Sequence, residues 1–143
     1  MAAQQPPYTV YSCTFSPNNS YTTVFQVDGN GTLASAAQVV KYSSDSAVHG
    51  LSLSRDQSYL YSADDTGNAV WTHKIQPNGT LTYVGKLTAP STKSDPRHAT
   101  THPNGTYLYV VLEGSNQIAV YPRDSKTGEL SNASQIFSLL PTG

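Results

Sequence analysis

Short runs of strand-forming residues alternate along the chain with tight-turn residues, and no stretch shows helical periodicity. The segment DPRHATTHPNGTYLYVVLEGSNQIAVY, Asp95 to Tyr121, has an Asn-Gly turn at its centre and strand residues on both sides. Strands are predicted near 97–102, 107–112, 116–122 and 134–139, and earlier near 48–53, 58–63, 69–75 and 81–87. Asp56-Gln57, Asn78-Gly79, Pro103-Asn104-Gly105 and Thr127-Gly128 separate them.

The pattern repeats. Tyr59-Leu60-Tyr61 matches Tyr107-Leu108-Tyr109, Asn68 matches Asn116 and Val70 matches Ile118, every pair 48 positions apart. Leu33 stands the same distance before Leu81 and ends a third, shorter copy with three visible strands and no first one. Four short strands in a period of this size predict an all-β fold of β-propeller blades, each of four antiparallel strands. A β-sandwich would not repeat itself in this way. The whole chain, 1–143, reads as one partial propeller: an incomplete blade over 8–42 and full blades over 47–89 and 96–140. Three blades do not close a ring, so the expected partners are the remaining blades or other copies of the chain.

Composition narrows the function. Net charge is -1, only 12% of residues are charged, and no basic run appears, which argues against a nucleic-acid binder. No apolar run approaches the ~20 residues of a membrane helix. MAAQQPPYTV lacks the features of a signal peptide, so a cytoplasmic location is expected. The sequons at Asn18, Asn30, Asn78, Asn104 and Asn132 are accordingly read as turns. Cys13, without a partner cysteine, is expected to be a small buried hydrophobe.

The 48-residue offset also aligns His49 with Arg97 and Asp65 with Glu113. A hairpin centred on Asn104-Gly105 puts Arg97 opposite residue 112 and close to Glu113, and the same folding puts His49 beside Asp64 or Asp65. First strands line a propeller's channel, so His49, Asp65, Arg97 and Glu113 should gather at one mouth. Strand-end charges facing water are the plain alternative. Against it, equivalent positions carry unlike polar groups facing one shared space. His98 and His102 would stand roughly 13 Å apart on a strand, too far to share a metal, and both are assigned structural roles. His73 is expected after a third strand, facing solvent. Trp71 is expected to pack between blades. Arg55 in a far turn and Arg123 after a third strand lie away from the channel.

The run Pro-Arg-His…His-Pro-Asn-Gly…Tyr-Leu-Tyr-Val-Val…Glu, from Pro96 to Glu113, resembles the lactonase-like seven-bladed propellers. That family includes fungal 3-carboxy-cis,cis-muconate cyclase and bacterial 6-phosphogluconolactonase. The resemblance covers nearly the whole chain but about three of seven blades, and leans to the fungal cyclase. It implies catalytic His49, Arg97 and Glu113, with a second arginine beyond Gly143; Asp65, placed beside them by the hairpin geometry alone, is expected to join Arg97 and His49 in contacting substrate. The implied activity is a cofactor-free, metal-free cycloisomerisation in aromatic (protocatechuate) catabolism. A carboxylate of 3-carboxy-cis,cis-muconate adds to a double bond of the same molecule, giving 3-carboxymuconolactone. Arg97 would grip one carboxylate of this polycarboxylate, and Glu113 or His49 would supply a proton, with the Arg97–Glu113 pairing weighing toward His49. The alternatives are a lactonase acting on a sugar lactone such as 6-phosphogluconolactone, and a non-catalytic binding platform.

Overall fold

The computed structural model describes residues 8–141, and among these there is no helix. The chain forms three antiparallel sheets in succession. The first holds β1 (Tyr8–Cys13), β2 (Tyr21–Val27) and β3 (Leu33–Lys41). The second holds β4 (Val48–Leu53), β5 (Tyr59–Asp64), β6 (Ala69–Ile75) and β7 (Leu81–Thr88). The third holds β8 (Pro96–Thr101), β9 (Tyr107–Leu112), β10 (Gln117–Pro122) and β11 (Gln135–Ser138). Strands follow one another across each sheet in chain order, as in propeller blades. By the repeat, β1 corresponds to β5 and β9, so among the described residues the first sheet has no counterpart of β4 and β8.

Turn chemistry sets these hairpins. Gly31, Gly79 and Gly105, each from an Asn-Gly-Thr segment, have φ of 83°, 82° and 80°, where other residues would be strained. Asn104 Oδ1 accepts from Thr106 N at 2.9 Å, and Asn78 Oδ1 from Thr80 N at 3.1 Å.

The core lies between the sheets. Tyr59, Tyr61 and Val70 pack against Leu108, Val110, Leu112, Ala119 and Tyr121 of the next blade. Val24 of the first blade meets Leu53, Leu60 and Leu81 of the second. Polar links repeat along these seams. Tyr11 Oη donates to Gly79 O at 2.8 Å, and its repeat equivalent Tyr59 donates to Lys126 O at 2.7 Å. Arg123 is buried: its Nε donates to Tyr61 Oη, its Nη1 donates to Gly105 O at 2.9 Å, and its guanidinium lies over the Tyr59 ring. It clamps two blades together, away from the channel strands.

Two expectations are corrected here. His73 lies within β6 and is 2% exposed, not facing solvent; its ring packs edge-on against Tyr42 and Tyr83. Strand alternation within β6 turns it into the seam between blades. Burial pushes its imidazole down to about 4. Cys13 is half-buried, with Sγ 3.6 Å from His49 O, and burial raises its thiol pKa. It lies beside the channel strand β4, where among the described residues no inner strand of the first sheet covers it.

Candidate active site

The first strands β4 and β8 lie side by side, tied at one end by Thr101 Oγ1 donating to Leu53 O at 2.9 Å. A cleft of about 460 Å³ at that end is lined by Ser52, Arg55, Thr100 and His102 among others. His49 and Arg97 stand at the opposite end. Both occupy register shifts: Val48 pairs with Asp64 and Gly50 with Ala63, while Pro96 pairs with Leu112 and His98 with Val111. Arg97 is therefore not opposite residue 112, as simple alternation requires; Pro96 is. The extra residue in each strand is a β-bulge, which re-aims side chains where the ladder is interrupted.

The two bulged residues meet. Arg97 Nε donates to His49 Nε2 at 3.1 Å, and Arg97 Nη1 forms an ion pair with Glu113 Oε2. The Arg97 and Glu113 side chains are 39% and 48% exposed, so solvent, and equally a ligand, reaches the pair. Gly50 makes the approach feasible: a Cβ there would stand 2.4 Å from Arg97 O and 3.2 Å from His98 Cα.

The turns that follow β5 and β9 set the acids. Asp65 N donates to Ala47 O and Glu113 N to Asp95 O, both at 3.0 Å. Asp64 and Asp65 have separate fates. Asp64 is fully buried and accepts from Ala47 N at 2.8 Å, Gly67 N at 3.0 Å and Trp71 Nε1 at 2.7 Å. Trp71 thus does more than pack: its indole helps to hold this carboxylate. Asp65 is the half-buried one on the channel side. Burial pushes its carboxyl up, and the charges of Asp95 and Glu113 add to this, opposed by His49 and Arg97.

Three participants are missed by the sequence reasoning. Phe15, 55% exposed, sets its ring edge-on to His49 at 4.9 Å. His98, assigned a structural role from spacing, is exposed on the channel strand with its ring 5.1 Å from that of His49. Alternation alone cannot find it, because the bulge changes the phase of the strand. Asn68 ties the second blade to the entry of β8: its Oδ1 accepts from Ser94 N at 2.9 Å and Asp95 N at 3.2 Å, and its Nδ2 donates to Ser91 O at 2.8 Å. Its repetition at Asn116 was the available signal, and both asparagines are left-handed, at φ 48° and 52°.

The family model described as a lactonase, 7-bladed β-propeller, matches residues 8–143. The chain belongs to this lactonase family of seven-bladed propellers. It is 37% identical over its full 143 residues to the carboxy-cis,cis-muconate cyclase of Neurospora crassa, covering 39% of that protein. It is 36% identical over 74 residues, half of its length, to muconate cycloisomerase 1 of Cutaneotrichosporon cutaneum, covering 20% of that protein. Among solved structures, the periplasmic gluconolactonase of Pseudomonas aeruginosa superposes with a TM-score of 0.80 at 23% identity, over 94% of this chain and 40% of that one. A Lactobacillus plantarum protein superposes at 0.81 with 25% identity, over 93% of this chain and 40% of its own. The chain thus spans about two fifths of the length of these propellers.

Proposed function

We propose that the chain supplies part of the active site of a cofactor-free cycloisomerase that converts 3-carboxy-cis,cis-muconate to 3-carboxymuconolactone. The observation that carries this reading is the Arg97 guanidinium joined to His49 of one blade and Glu113 of its own. These are the residues that the resemblance to the fungal cyclases implies, and the Neurospora relative matches over the whole chain.

The chemistry follows from that geometry. Among the described residues Arg97 Nη2 has no protein partner, so it can take a substrate carboxylate while Nε and Nη1 hold His49 and Glu113. His49, wedged between the rings of Phe15 and His98, orients the guanidinium. Fixing one carboxylate holds the adding carboxylate oxygen against its carbon, a positioning task. Asp65 fits a substrate-contacting role only while it holds its proton, since a second anion would repel the substrate. Ile136, Phe137, Leu139 and Leu140 at the end of the third blade are 43–60% exposed. We assign that surface to further blades, or to another copy of the chain, which complete the pocket and its second arginine.

A second reading has an observation behind it. The fold is also that of a gluconolactonase, and water in the same channel would make the site a lactone hydrolase. Product analysis separates the two. Incubated with the complete propeller, carboxymuconate should disappear as its diene absorbance is lost and the lactone accumulates. Inert carboxymuconate together with hydrolysis of a sugar lactone would reject the cyclase reading.

A further inference from the structure

The geometry points to His98 as the residue that delivers the proton to carbon in the cyclisation. This inference rests on the cyclase reading. Ring closure adds a carboxylate oxygen to one carbon of a double bond, and the π pair moves to the neighbouring carbon, which must receive a proton. The residues first considered for that step are poorly placed to give one. His49 Nε2 accepts a hydrogen bond from Arg97 Nε, so that nitrogen carries no proton. The other nitrogen, Nδ1, is buried with no hydrogen-bond partner and faces away from solvent. Glu113 meets Arg97 as an acceptor, and a carboxylate so paired has no proton to release. Arginine does not give up its proton in proteins.

His98 has none of these restrictions. It follows Arg97 in β8, directly after the bulged position, and is exposed. Neither ring nitrogen has a partner among the described residues, and the ring leans on His49 with centroids 5.1 Å apart. It thereby stands next to the guanidinium that grips the substrate. Its repeat equivalent is Gly50, whose missing side chain leaves room for the His98 backbone 3.2 Å from where a Cβ would be. His49 from β4 faces it, and Arg97 precedes it on its own strand; Arg97 pairs with Glu113, and Asp65 feels the charges of Asp95, Glu113, His49 and Arg97. A protonated imidazole at this point gives its N–H proton to the substrate carbon as the C–O bond closes. The neutral ring then recovers a proton from water. One proton is consumed for each trianion converted to a lactone dianion, so the step balances without a co-reactant.

The test uses the complete propeller, after lactone formation by the unaltered protein has been established. His98→Gln should lower kcat by about 10²–10⁴-fold, the range for a lost general acid, with KM changed only a few-fold. The fall of kcat with rising pH should vanish in this variant, and imidazole in solution should restore turnover to His98→Ala. Asp65→Asn serves as the rival arm. If kcat and the pH limb survive in His98→Gln, or if Asp65→Asn removes the limb instead, the assignment is overturned while the cyclase reading stands. If the unaltered protein opens lactones and forms none, that reading falls, and the donor role with it.

Discussion

Asp65 N bonds to Ala47 O at the mouth of the second blade, and Glu113 N bonds to Asp95 O at the mouth of the third. The two mouths share their bulge at the second residue of the inner strand and their left-handed asparagine. They differ in side chains: His49, Gly50, Asp64 and Asp65 on one blade stand where Arg97, His98, Leu112 and Glu113 stand on the other. The shared features are main-chain hydrogen bonds and one residue able to adopt positive φ, which leave the other side chains free. The turn of the second blade is anchored by a buried carboxylate, that of the third by a buried leucine in the apolar seam. A repeated scaffold can thus carry a composite site, with each blade contributing a different chemical group to one cluster.

The largest effect that would test this division is Asp64→Ala. It should leave Ala47 N, Gly67 N and Trp71 Nε1 without their acceptor and cost about 3–4 kcal/mol in urea unfolding. A loss under 1 kcal/mol would mean that the second mouth does not depend on its carboxylate. Arg97→Ala tests the other half. Turnover by the complete propeller should fall about a hundredfold or more, while stability changes by less than about 1 kcal/mol, because its ion pair is exposed. Equal losses of stability and activity would make Arg97 a structural residue.

His73 and Tyr121 form another equivalent pair, both buried. The folded state resists protonation of His73 until about 4, whereas an ordinary imidazole takes a proton near 6.5. Unfolding is therefore favoured by proton uptake at acid pH. Stability from this residue is full above about 6.5 and declines as pH falls toward 4, by at most roughly 3 kcal/mol. His73→Phe should flatten urea stability across that window; an unchanged slope would place the acid sensitivity elsewhere. The smallest contrast is between Tyr59, 4% exposed with its hydroxyl on Lys126 O, and Tyr107, 38% exposed. Tyr59→Phe should cost about 1 kcal/mol and Tyr107→Phe close to nothing in thermal unfolding of this chain. Further blades that cover Tyr107 would raise its value toward that of Tyr59.

The blade architecture was legible because it depends on local and repeated signals. Asn-Gly-Thr turns, alternation on the strands and the 48-residue offset each report on neighbours close in sequence, and strand order follows from hairpins. The gathering of His49, Arg97 and Glu113 could be inferred because equivalent positions in successive blades face the same space. What the tertiary structure decided lies one residue or one blade away from those signals. A bulge moves Pro96 into the place expected of Arg97 and puts His98 beside His49. Asp64 turns inward to Trp71 while Asp65 stays at the mouth, a choice that alternation leaves open. His73 is buried, and Phe15 reaches His49, only because a neighbouring blade or loop stands there. Sequence periodicity reports which face of a strand a residue occupies. It does not report an interruption of the ladder, or which groups from another blade come within hydrogen-bonding distance, because those depend on how the sheets pack.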